Sequence, residues 1–213
     1  MHYCDEFFGL AVDSMQAFVP SKIDGYRGLR PLAQLAPDFG GTRSTSQARL
    51  SFMAIVLNKP LPEFEANATS GLKVSNISHT GQTVVLFFYP KDNTPGCTTE
   101  AMQFRDKYKD FVKAGALVLG VSRDNMKSHD DFKAKLELPF ELIADTEEKM
   151  CHMFGVVKNK IMYGKKVKGI ERSTFLIGPD GTLKQEWRGL KVPGHVEEVL
   201  QAVKDLKKAT AVA

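Results

Sequence analysis

The residues best suited to chemistry in this sequence are three thiols, Cys4, Cys97 and Cys151. They are odd in number, widely spaced and form no Cys-x-x-Cys pair, which fits neither a disulfide framework nor a zinc site, so reduced thiols are the expectation. Cys97 differs from the other two in its neighbours, Phe87-Phe88-Tyr89-Pro90-Lys91-Asp92-Asn93-Thr94-Pro95-Gly96-Cys97-Thr98-Thr99-Glu100. A strand-like run ends at Pro90, a polar loop follows, and Cys97 falls where a helix should begin. Free backbone N–H groups and the positive end of a helix favour a thiolate there, whereas burial alone disfavours one. Open α/β sheets also present ligands at the carboxyl ends of their strands, which is where Tyr89 hands over to this loop.

The elements that must position this cysteine follow from hydrophobic period. The β-branched and aromatic run Thr83 to Tyr89 predicts a strand buried on both faces. Cys97 to Ala114 places Ala101, Phe104, Tyr108, Phe111 and Val112 on one side of a helix that Gly115 ends. Strands are expected at Ala116–Val121 and Phe140–Ala144, with a helix between them at Asn125–Leu136. Thr146 is the expected cap of a helix running to Phe154. Ser173–Ile177 and Thr182–Trp187 flank the turn Pro179-Asp180-Gly181, and an amphipathic helix spans His195 to Lys208. The Lys-rich stretch from Lys158 to Lys168 reads as a solvated hairpin. The order implies an α/β fold of thioredoxin-like type: a central mixed sheet, parallel with an antiparallel edge, and helices on both faces.

Composition excludes several classes. Of 213 residues, 43% are hydrophobic and 25% charged, which is ordinary for a soluble domain. The net charge of +4 is spread thinly, without the basic block that nucleic-acid binding requires. No apolar run approaches the roughly 20 residues of a membrane span. Asp5, Glu6 and Asp13 spoil any secretory signal, so a cytoplasmic location is expected. Gly, Pro, Ser and Thr crowd Pro37 to Ser51, and residues 1–52 show no sustained period. They are expected to form a poorly ordered extension, with the folded domain at 53–213 and Met53 a candidate natural start. His129, His152 and His195 show no metal-ligand spacing and read as surface or capping residues.

The spacing Pro90-x-x-x-Thr94-x-x-Cys97 resembles the peroxiredoxin active-site signature, and the longer phrase around it is similar to the bacterioferritin-comigratory-protein (Q-type) subfamily. The similarity continues through Gly169-Ile170-Glu171-Arg172-Ser173-Thr174-Phe175-Leu176-Ile177 and covers nearly all of 53–208. The resemblance implies a thiol-dependent peroxidase acting on hydrogen peroxide and organic hydroperoxides, without haem, flavin or metal because the sulfur is the redox centre. Cys97 would be the peroxidatic nucleophile and become a sulfenic acid. Thr94 would hold the peroxide and the sulfur through its hydroxyl, Pro90 would shield the thiolate, and Arg172 would favour both thiolate and leaving oxygen. Thioredoxin or a similar thiol protein is the implied reductant, and a monomer or weak dimer the expected state.

The sequence departs from the subfamily in one respect. Many Q-type relatives carry a resolving cysteine five residues after the peroxidatic one, where this chain has Met102. Cys151 is the remaining cysteine of the folded domain and a candidate resolving thiol, but a disulfide to Cys97 needs Cα atoms within about 7 Å. Direct attack on the sulfenic acid by an external thiol is the favoured route. Two rival readings carry less. Thioredoxin-like exchange needs a second cysteine three residues away, where Glu100 and Thr94 stand, and nothing in the residues points specifically to a non-enzymatic scaffold or holdase.

Overall fold

A computed structural model of the chain describes residues 55–162 and 165–212. The extension expected at 1–52, with Cys4, lies outside the described residues. The elements in order are β1 (Glu65–Asn67), a 3-10 turn at Thr69–Gly71, β2 (Lys73–Ser75), β3 (Thr83–Phe88), α1 (Pro95–Ala114), β4 (Ala116–Ser122), α2 (Met126–Leu136), β5 (Glu141–Ala144), α3 (Lys149–Met153), β6 (Val157–Met162), β7 (Lys165–Ile170), β8 (Ser173–Ile177), β9 (Leu183–Arg188) and α4 (His195–Val212).

Strand β3 is the middle of a five-stranded sheet ordered β5-β4-β3-β8-β9. It runs parallel to β4, which runs parallel to β5, and antiparallel to β8, which pairs antiparallel with β9. This is the mixed sheet of a thioredoxin-like fold. Residues Val84 to Phe88 are all buried, as a strand covered on both sides requires.

Side-chain alternation along β3 divides the interior into two cores. Val85 and Phe87 point to one face, where Phe104 and Phe111 of α1, Phe132 of α2 and Val199 of α4 cover them. Val84, Leu86 and Phe88 point to the other, which is filled by Met150 and Cys151 of α3 together with Phe154, Val156 and Phe175. Phe87 stacks on Phe104 with centroids 4.5 Å apart. Gly120 of β4 makes room for that ring, since a Cβ there would lie 2.8 Å from it. Each fully buried aromatic contributes roughly 1.5–3 kcal/mol, so α1 is fixed firmly to the sheet below Cys97.

The structure corrects several boundaries. α1 begins at Pro95 rather than Cys97, with Thr94 as N-cap and a proline at its first position. The helix expected from a Thr146 cap starts only at Lys149. One of its first-turn N–H groups is served by Asp145, whose carboxylate accepts from the Cys151 amide at 2.7 Å, and Thr146 is left in the turn. α4 continues to Val212. The Lys-rich stretch is an antiparallel pair, β6 with β7. β1 and β2 are three-residue strands, too short to show a period in sequence.

Candidate active site

The loop Pro90–Thr94 joins the carboxyl end of β3 to α1. Thr94 is extended (φ −89°, ψ 147°), and its carbonyl accepts the first α-helical bond, from the Thr98 amide at 2.9 Å. Cys97 is therefore the third residue of the helix, among the first-turn N–H groups that have no acceptor within it. The Thr94 hydroxyl donates to the Lys91 carbonyl at 3.0 Å, which leaves its oxygen lone pairs open. Pro90 is half-buried and caps the end of β3 without an N–H of its own.

Cys97 is 2% exposed and a free thiol. A fixed charge against its sulfur comes from a distant part of the chain: Arg172, immediately before β8, holds Nη2 3.2 Å from Cys97 Sγ. The same guanidinium donates through Nη1 to Glu100 Oε2. Glu100 lies one helical turn after Cys97 and is fully buried. Burial pushes its carboxyl up and Arg172 opposes that, leaving it at about 7. Burial works against the Arg172 cation, but Glu100 and the sulfur outweigh it and hold the guanidinium above its ordinary value. A fork shared between a carboxylate and a sulfur is a rigid donor set, which arginine provides and lysine does not.

Behind this site His195 Nε2 lies 2.8 Å from the Thr174 hydroxyl. Burial pushes His195 down to about 4, with Glu198 opposing and the Arg172 charge adding to it, so of the surface or capping reading the surface part is corrected: it is a neutral packed ring at the first residue of α4. His129 also departs from the surface reading: it is fully buried in α2, with Nδ1 2.9 Å from Asp92 in the loop. His152 is exposed and stands 3.4 Å from Glu148. Among the described residues no group of His, Cys, Asp or Glu is arranged to hold a metal ion.

The sequence-derived residues thus separate. Arg172 is brought to Cys97, with Pro90 and Thr94 on the loop leading into its helix. Cys151 is not: it is fully buried in the opposite core, and the sheet lies between the two sulfurs. Burial, with Asp145 next in effect, pushes its thiol far up. Residue spacing does not single out Glu100 as a member of the site. Its signal was a carboxylate on the same side of α1 as Ala101 and Phe104, a position where a charge must be paired.

Comparison with known proteins gives a consistent set of matches. The AhpC/TSA family matches residues 57–186. Peroxiredoxin Bcp of Xanthomonas campestris is 49% identical over 151 residues, which is 70% of this chain and 94% of that protein. Peroxiredoxin Bcp of Bacillus subtilis is 46% identical over 156 residues, 73% of this chain and 99% of that one. A solved structure of the X. campestris bacterioferritin comigratory protein, from work on its alkyl peroxide reduction activity, is 48% identical with a TM-score of 0.65, covering 68% of this chain and 92% of that one. A mutant of Xylella fastidiosa PrxQ is 43% identical with a TM-score of 0.68, covering 71% and 96%.

Proposed function

The chain belongs to the AhpC/TSA family, and from that premise we propose that it reduces hydrogen peroxide and organic hydroperoxides at Cys97 and is recycled by thioredoxin or a similar thiol protein. The Cys97 thiolate attacks the terminal peroxide oxygen. An S–O bond forms, the O–O bond breaks, and the departing alkoxide or hydroxide takes a proton to leave as alcohol or water, with sulfur oxidised to sulfenic acid. The Arg172 guanidinium favours the thiolate before attack and the negative oxygen as it leaves. Donors already aimed at developing charge cost no reorganisation. The Thr94 oxygen accepts from the peroxide O–H, and Pro90 limits water at the sulfur.

The observation that carries this reading is the 3.2 Å contact of Arg172 with a buried free thiol at a helix start. Resolution falls to an external thiol: it attacks the sulfenic sulfur, expels water and leaves a mixed disulfide that a second thiol reduces. A bridge to Cys151 requires that thiol to leave the opposite core, and Met102 takes the place of a resolving cysteine on α1. The proposed setting is the reducing cytoplasm.

Intact-mass analysis after one equivalent of peroxide tests both steps. The expected product gains one oxygen, mapped to the Cys97 peptide. An unchanged mass contradicts the peroxidase reading, and a loss of two hydrogens mapped to Cys97 and Cys151 contradicts external resolution.

A further inference from the structure

We propose that His129 and Asp92 form a buried imidazolium–carboxylate pair that positions the Pro90–Thr94 loop, and through it the first turn of α1 that carries Cys97. The inference rests on the reading of Cys97 as the reacting sulfur. Neither residue touches Cys97, so both are positioning residues.

The charge of the ring is inferred from its two partners. His129 Nδ1 lies 2.9 Å from Asp92 Oδ2, and Nε2 lies 3.2 Å from the Ile143 carbonyl oxygen of β5. A carbonyl can only accept. Asp92 also acts as an acceptor here, taking the Tyr89 hydroxyl at 2.8 Å on Oδ1 and the Ser128 hydroxyl at 2.7 Å on Oδ2. Burial pushes the Asp92 carboxyl up, but the bonds from His129, Ser128 and Tyr89 outweigh it and hold the group below its ordinary value. A carboxylate and a carbonyl facing the two ring nitrogens are both satisfied when each nitrogen carries a proton, which is the cation of the proposal.

The pair is a junction. Through Asp92 the loop is tied to Tyr89 at the end of β3 and to the first turn of α2, and through His129 to β5. The Asp92 amide adds a bond to Asp124 Oδ2 at 2.8 Å, and Asp124 is held in turn by Ser122 at the end of β4. Between Asp92 and Thr94 the loop turns through Asn93 at φ 57°, a left-handed conformation that asparagine tolerates. A buried ion pair gives little net stability over apolar packing, whereas three directional bonds converging on one carboxylate, one from Tyr89 beyond β3 and two from α2, fix where the next two residues lie.

Four measurements on the full chain test this. Nitrogen NMR of the wild-type protein at neutral pH is expected to show both ring nitrogens of His129 protonated, and a ring with one bare nitrogen overturns the proposal. His129→Gln and Asp92→Asn are each expected to slow peroxide reduction by the reduced protein about tenfold or more, the scale of a reacting group displaced by a fraction of an ångström. Alkylation of Cys97 by iodoacetamide, which needs a thiolate but no fitted peroxide, should change by less than about twofold. Hydrogen exchange should rise at residues 90–97 and stay unchanged in β3 and β4. Peroxide rates in both variants within about twofold of wild type overturn the proposal. Cys97→Ser run alongside separates the two readings: if it retains activity, the assignment of Cys97 fails whatever His129 does.

Discussion

Two buried free thiols sit on opposite faces of one sheet, and almost nothing about burial distinguishes them: Cys97 is 2% exposed and Cys151 fully enclosed. The difference lies in the charges that face each sulfur. Cys97 has a guanidinium at 3.2 Å, carried in from the start of β8 and braced by Glu100. Cys151 lies among Met150, Phe154 and Val156, where burial and then the Asp145 carboxylate disfavour a thiolate and the Arg123 charge only partly opposes them. We propose that the chemistry of the two thiols follows from the charges held against each sulfur and not from depth alone.

The contrast breaks most severely at Arg172. Arg172→Gln keeps a donor but removes the charge and the fork, and peroxide reduction measured by stopped flow should fall about 100-fold or more. A loss below about tenfold means the cation is not what separates the two thiols.

Glu100 sharpens the comparison through pH. Its folded-state value of about 7 lies above its ordinary 4.5, so its contribution to stability is fully present below about 4.5 and is lost as pH rises through about 7. Urea unfolding of wild type and Glu100→Gln across that window should show the wild type losing stability relative to the variant as pH rises. Parallel profiles contradict the assignment of a strained buried carboxylate behind Arg172.

The smallest effect is expected on the other face. Cys151→Ala removes one sulfur from a packed core and should cost about 1 kcal/mol of stability in urea unfolding. Peroxide turnover with an external thiol should stay at the wild-type rate. A collapse of turnover places Cys151 in the cycle and ends the contrast.

Much of this was legible in residue types and spacing. The buried run of β3, the helix start beyond Pro90 and the turn at Pro179-Asp180-Gly181 carry local signals that survive folding. What was not legible depends on pairing across distance. His129 is flanked by Ser128, Asp130 and Asp131 and looks like a surface residue until α2 is laid on the sheet and turns it to Asp92. The separation of Cys97 from Cys151 follows from strand parity and from which face each helix covers, and neither is written in the spacing of cysteines. β1 and β2 are too short for any period, and α3 takes its start from the buried Asp145 carboxylate, which draws the helix three residues past Thr146.

The most direct test of the central claim is peroxide consumption by Cys97→Ser, followed with an external thiol reductant beside the wild-type protein. The variant is expected to consume no peroxide above the thiol-only background. Activity retained at the wild-type rate would show that the sulfur beside Arg172 is not where peroxide is reduced.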